Sequence, residues 1–227
     1  MGTIINEEKI ENVYIGGNRI KGFCKGGDIV YKDPPYYLVE WTDIENKKYV
    51  QKIPQYQLTN VISYLNNEIK TCIITSFNEV EIRDCGQLFS YFNIVEAIDL
   101  SGFDTSSSIH MAEMFYNCDK LNYINLQNLN TKKVKSMTQM FYSCRSIENL
   151  DLSSFNIENV TSMNRMFYNC VKLKTIDLSS FDFKSVQIST DMFYGVPSDC
   201  LIYVKDQTSK NWILNNRNDL TNVQIKE

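Results

Sequence analysis

The chain has 227 residues, 43% of them hydrophobic and 22% charged, with a formal net charge of −4 and a pI near 5.2. An acidic balance excludes the clustered Lys and Arg of an extended phosphate-binding face, so nucleic acid is not an expected partner. No apolar run approaches the roughly 18 residues of a bilayer crossing, which speaks against integral membrane insertion, and the opening MGTIINEEKIENVY has neither the basic start nor the apolar stretch of a signal peptide.

Residues 1–70 are expected to form an N-terminal β-rich cap or attachment segment. In ENVYIGGNRIKGFCKGGDIVYK, β-prone runs alternate with Gly16-Gly17 and Gly26-Gly27, which predicts successive hairpins. After Pro34-Pro35, YYLVEW and KKYVQKI predict another hairpin around TDIENK. QLTNVISYLNN then places Leu58, Val61, Ile62 and Leu65 at helical spacing. Such an α+β segment would shield the open edge of the array that follows.

Residues 71–204 repeat at an offset of 26 positions. AIDLSGF at 97 becomes YINLQNL at 123, NLDLSSF at 149 and TIDLSSF at 175; MFYNC at 114 and 166, MFYSC at 140 and MFYG at 192 share the same frame. Around Ile98-Asp99-Leu100 the alternation predicts a short strand with Ile98 and Leu100 inward and Ala97, Asp99 and Ser101 outward. Met163, Met166, Phe167 and Cys170 fall at i, i+3, i+4 and i+7, which predicts a short helix with Ser162 as its N-cap. One strand and one helix cannot enclose a core alone, but stacked copies can, with the strands forming a parallel ladder. About four coils and a terminal strand are expected. In residues 205–227, DQTSKNWILNN predicts a helix carrying Trp212, Ile213 and Leu214, and LTNVQI a last strand. The expected fold class is therefore an α/β solenoid of about 26-residue strand-helix coils, with an N-terminal α+β cap and a C-terminal strand-helix cap.

The string LDLSSFNIENVTSMNRMFYNCVKLKTIDLSSFDF at 150–183 resembles the BspA-like leucine-rich repeat of bacterial surface proteins, and the resemblance spans residues 72 to about 204. The tail CLIYVKDQTSKNWIL is similar to the segment that closes such arrays. The resemblance implies a leucine-rich-repeat-like solenoid that is non-enzymatic, lies on the bacterial surface and serves adhesion to proteins or cells, with no single shared ligand. At the other end, VYIGGNRIKGFCKGGDIVY resembles short β modules of bacteriophage tail proteins. That second resemblance implies a structural or receptor-binding component of a phage tail or tail-like particle, released by lysis and needing no export signal.

His110 is the single histidine, which works against Ser-His-Asp and multi-histidine metal sites; its register with Ser136 and Ser162 makes it a surface residue at a helix start. Cys118, Cys144 and Cys170 come singly on an apolar stripe rather than as close pairs, so they are expected to be buried small hydrophobes and not a metal site. Tyr116, Tyr142, Tyr168 and Tyr194 should pack along the ladder with hydroxyls in water, with partner contact as the alternative. No convergent acid, base and nucleophile set occurs, so no catalytic residues and no cofactor are expected.

Asp99, Asn125, Asp151 and Asp177 stand between the inward residues of successive strands and should form a row on the open sheet face. Two such acids about 5 Å apart repel by about 0.8 kcal/mol in water, which needs no cation to relieve it. The alternative to a merely solvated face is a binding surface assembled from this row with Tyr123, Asn149, Thr175, Ser101, Gln127, Ser153 and Ser179. It would take a protein or a cell-surface glycan, and the N-terminal segment is a route to oligomers. The expected location is a bacterial cell surface or an extracellular particle.

Overall fold

Alternating apolar and polar residues in the first half of each repeat give one row of side chains to the core and one to solvent, and short strands form there. The computed structural model describes residues 13–15, 18–20, 36–54, 57–65, 69–77 and 81–226. In chain order its elements are β1 (Val13–Ile15), β2 (Asn18–Ile20), β3 (Tyr36–Asp43), β4 (Lys48–Pro54), α1 (Leu58–Leu65), β5 (Ile69–Phe77), β6 (Ala97–Gly102), β7 (Tyr123–Asn125), β8 (Asn149–Asp151), β9 (Thr175–Leu178), β10 (Leu201–Val204), α2 (Gln207–Asn216) and β11 (Val223–Ile225).

β1 and β2 pair antiparallel, with Ile15 opposite Asn18. The second expected N-terminal hairpin, around Gly26-Gly27, lies outside the described residues. β3 and β4 are also antiparallel, and at their turn the Asp43 carboxylate accepts from the N–H groups of Glu45 and Lys47, both at 2.9 Å. α1 sends Leu58 and Ile62 into the core. β5 pairs antiparallel with β3 on one side and parallel with β6 on the other, so it is the seam between two kinds of sheet. The result is a five-stranded sheet, β4-β3-β5-β6-β7, followed by a four-stranded parallel sheet, β8-β9-β10-β11. Together the coils make a β-solenoid of about five turns.

The second half of each coil is not a helix, and the expected strand-helix coil and α/β label are corrected accordingly. Met140 N–H returns to the Met137 carbonyl at 3.2 Å with Gln139 at φ 55°, and Cys144 N–H returns to the Phe141 carbonyl at 3.2 Å with Ser143 at φ 56°. A positive φ at the third residue matches a type II turn. Between these returns, the N–H groups of Gln139, Phe141 and Ser143 donate to the carbonyls of Asn164, Met166 and Tyr168 in the next coil, at 2.9, 2.9 and 2.7 Å. Two consecutive four-residue turns and one helical stripe share the spacing i, i+3, i+4, i+7, so periodicity over eight residues does not separate them. The stack does: a helix keeps its N–H groups to itself, whereas these turns hand every second one to a neighbour. Positive φ recurs at Glu113 and Asn117, at Arg165 and Asn169, and at Asp191 and Gly195. Ser162 is therefore no N-cap and His110 no helix start. Each is one rung in a column of single-residue parallel bridges running Asp84, His110, Ser136, Ser162 and Ile188.

Inside, Phe89, Phe115, Phe141, Phe167 and Phe193 stack with successive centroids 5.5, 5.3, 5.9 and 5.5 Å apart. Beyond the last coil, Asp206 caps α2 by accepting Ser209 N–H at 2.8 Å, the Ser209 hydroxyl donates to the Phe181 carbonyl at 3.2 Å, and Trp212 stacks on Phe183 at 4.1 Å.

Candidate binding surface

Ile98 and Leu100 are fully buried, as are Leu152, Ile176 and Leu178, so the strands present their polar residues outward in the expected order. Asp99 lies opposite Asn125, and Asp151 opposite Asp177. The row nevertheless comes in two halves, because β7 and β8 are neighbours in neither sheet. At that interruption Ile124, the counterpart of the buried Ile98 and Ile176, is only partly buried.

The row also has local work to do. Asp99, Asp151 and Asp177 each accept the N–H two residues on, from Ser101, Ser153 and Ser179, at 2.8, 2.9 and 2.9 Å; Asn125 accepts from Gln127 at 3.3 Å. These Asx turns bend the chain at the ends of β7 and β8, one residue before the end of β9 and within β6, and a short acceptor side chain is what they need. Asp177 is withdrawn further: only 9% exposed, it is covered by Lys226, whose ammonium donates to its second oxygen. Burial disfavours its charge, but the bond from Lys226 and those from Ser179 outweigh burial and hold its carboxyl below the ordinary range. Lys226 is raised, first by its hydrogen bond to Asp177.

Of the remaining predicted residues, Tyr123 is 54% exposed, Asn149, Gln127 and Asp151 are exposed, and Thr175, Ser101, Ser153 and Ser179 are half-buried. Tyr123 and Asn149 flank the interruption on successive coils. Sequence reasoning missed a second Asx column, Asp104, Asn130, Asn156 and Asp182, which accept from the N–H groups of Ser106, Lys132, Glu158 and Lys184. It also missed Thr105 and Thr131, buried hydroxyls that donate to the Asn130 and Asn156 carbonyls at 3.0 and 2.9 Å and accept the same residues' N–H groups. Their common register in the repeat was the available signal.

Tyr116, Tyr142, Tyr168 and Tyr194 stack at 4.7, 4.8 and 4.7 Å, and Tyr91 closes the N-terminal end edge-on at 5.4 Å. Their neighbours cover the ring faces, so Tyr116, Tyr142 and Tyr168 are half-buried and Tyr194, at the end of the stack, is exposed. The thiols of Cys118, Cys144 and Cys170 are buried and donate to the Phe89, Phe115 and Phe141 carbonyls of the preceding coil at 3.1, 3.1 and 3.0 Å. Burial pushes Cys144 and Cys170 well above the ordinary thiol range. Among the described residues, no group of three or more His, Cys, Asp or Glu could hold a metal, and no helix is long and apolar enough to cross a membrane.

A family described as Mycoplasma protein of unknown function, DUF285, matches residues 83–201, more than half of the chain. The chain belongs to this DUF285 family. No curated protein and no solved structure matches it. The DUF285 region takes in β6 to β9 and the turn column from Cys85 to Val196, whereas β1 to β5, α1, α2 and β11 lie outside the match.

Proposed function

We propose that this DUF285 solenoid is a non-enzymatic binding module, displayed on a bacterial cell surface, that engages a protein or a cell-surface glycan through the outward face of its strands in the manner of an adhesin. The observation that carries this reading is Tyr123, a large aromatic side chain 54% exposed on a β-strand, in a coil that also exposes Gln127 and is followed by one that exposes Asn149. An aromatic ring and amides displayed on successive coils of a preformed stack suit a contact made of many modest interactions, because little ordering is left to do on binding. The resemblance to BspA-like repeats supports the same class. The Asp row is assigned a smaller share, since its members already hold turns.

The test is capture of labelled protein on bacterial cells and on immobilised extracellular-matrix proteins, wild type against a Tyr123→Ala, Gln127→Ala, Asn149→Ala variant. Saturable binding that drops about tenfold or more in the variant supports the sheet face, in line with aromatic anchors carrying most of an interface. Undiminished binding removes the assignment. A second reading, a structural or receptor-binding part of a phage tail or tail-like particle, is favoured by the β1–β2 hairpin in the segment that resembles tail modules. Binding confined to bacterial walls, with oligomers that vanish when residues 1–35 are removed, would select it.

A further inference from the structure

The turn column stops with some of its own bonding unfinished. In the preceding coil the N–H groups of Arg165, Phe167 and Asn169 donate forward to the carbonyls of Thr190, Met192 and Tyr194, at 2.9, 2.9 and 2.7 Å. The equivalent groups of the last coil, the N–H groups of Asp191, Phe193 and Gly195, have no rung ahead of them and no acceptor among the described residues. The cap does supply the opposite partner. Where the Phe89, Phe115 and Phe141 carbonyls receive a thiol from the next coil, the Phe193 carbonyl receives the Arg217 guanidinium, which also donates to the Val196 carbonyl at 2.6 Å. Carbonyls are thus satisfied at this end and amide donors are not.

These donors line a cleft of about 340 Å³ between the last coil and the end of α2. On its wall stands Tyr194, the last ring of the tyrosine stack, 56% exposed because no further ring lies beyond it. The charges at the rim cancel in pairs, Asp191 with Arg165 at 3.3 Å and Asp219 with Arg217 at 2.8 Å. A cleft with three aligned amide donors, an open aromatic face and compensated charge suits neutral carbonyl acceptors better than an anion.

We propose that this cleft binds a peptide segment of a partner protein, which presents backbone carbonyls to the N–H groups of Asp191, Phe193 and Gly195 and an aromatic side chain to the free face of Tyr194. The bound segment adds one rung to the column. This site is separate from the sheet face, so either can fail without the other.

The test is amide-resolved NMR on the full chain, with a blocked synthetic peptide of residues 163–170 carrying Cys170→Ala as the probe. In the free protein the amides of Asp191, Phe193 and Gly195 should exchange at least about tenfold faster than those of Arg165, Phe167 and Asn169, as unpaired donors do. Millimolar peptide should shift and protect those three amides, and Tyr194→Ala should weaken binding about threefold or more. Unchanged protection at Arg165, Phe167 and Asn169 in that variant shows that its last full coil is intact. Protection of the three amides before peptide is added overturns the proposal, as does a titration that leaves them unmoved or an effect confined to the sheet face.

Discussion

On the sheet wall, the repeat strands β6 to β9 are six, three, three and four residues long, and the ladder stops between β7 and β8. On the turn wall, backbone bonds pass from coil to coil without a break, from Cys85 N–H on the His110 carbonyl to Asn169 N–H on the Tyr194 carbonyl. The turn wall also carries the phenylalanine stack inside, the tyrosine stack outside and the thiol-to-carbonyl bonds between them. The difference teaches that coil-to-coil cohesion here rests on the irregular half of the repeat, while the regular half serves to present side chains. An interrupted strand ladder is tolerable where a second, unbroken column fixes the spacing.

The largest effect should follow from breaking the turn column at its centre. Phe141→Ala removes a ring stacked on both sides and is expected to lower unfolding free energy by about 3–5 kcal/mol in urea titrations. Ile124→Ala, at the interrupted and partly exposed sheet position, should cost about 1–2 kcal/mol. Equal losses would erase the contrast between the walls.

A smaller effect discriminates turn from helix. With Gln139 at φ 55°, Gln139→Val should destabilise by about 1–2 kcal/mol, and Gln139→Gly should leave stability unchanged or raise it. In a helix the glycine would cost about 1 kcal/mol, so a melting temperature that falls for glycine would restore the helical coil. The thiols report whether the column is folded, whatever its backbone path: Cys144 and Cys170 should resist a thiol reagent at pH 8 for as long as it is, and react at once in denaturant.

The smallest effect belongs to the edge of the sheet wall. Asp177 has a folded value below its ordinary 3.8, so its contribution is complete above that pH and is lost as pH falls through the folded value. The protection factors of the β11 amides, taken against the intrinsic exchange rate at each pH, should therefore fall on acidification below about pH 4, and Asp177→Asn should flatten that dependence. A pH response at β8 rather than β11 would mean that Lys226 does not tie the last strand down.

Much of the sheet wall was legible. Alternation placed Ile98 and Leu100 inside and Asp99 between them, and the 26-residue register aligned Asp151 with Asp177. The roles of those acids were not legible, because the carboxylates could equally face water or bond the N–H two residues on, and only the turn geometry chooses. Asp177 needed in addition a lysine 49 positions away. The helix assignment failed because Met137, Met140, Phe141 and Cys144 are all buried, as a helix stripe would be, but by a different backbone path.

By itself the sequence determined that the chain repeats, which residues of each copy are buried, and that the copies must stack, because identical apolar faces have only one another to cover them. Only the tertiary structure decided how the second half of each copy bonds its backbone. That choice depends on whether an N–H group finds its acceptor four residues back or in the next coil, and the acceptor in the next coil exists only once the coils are stacked.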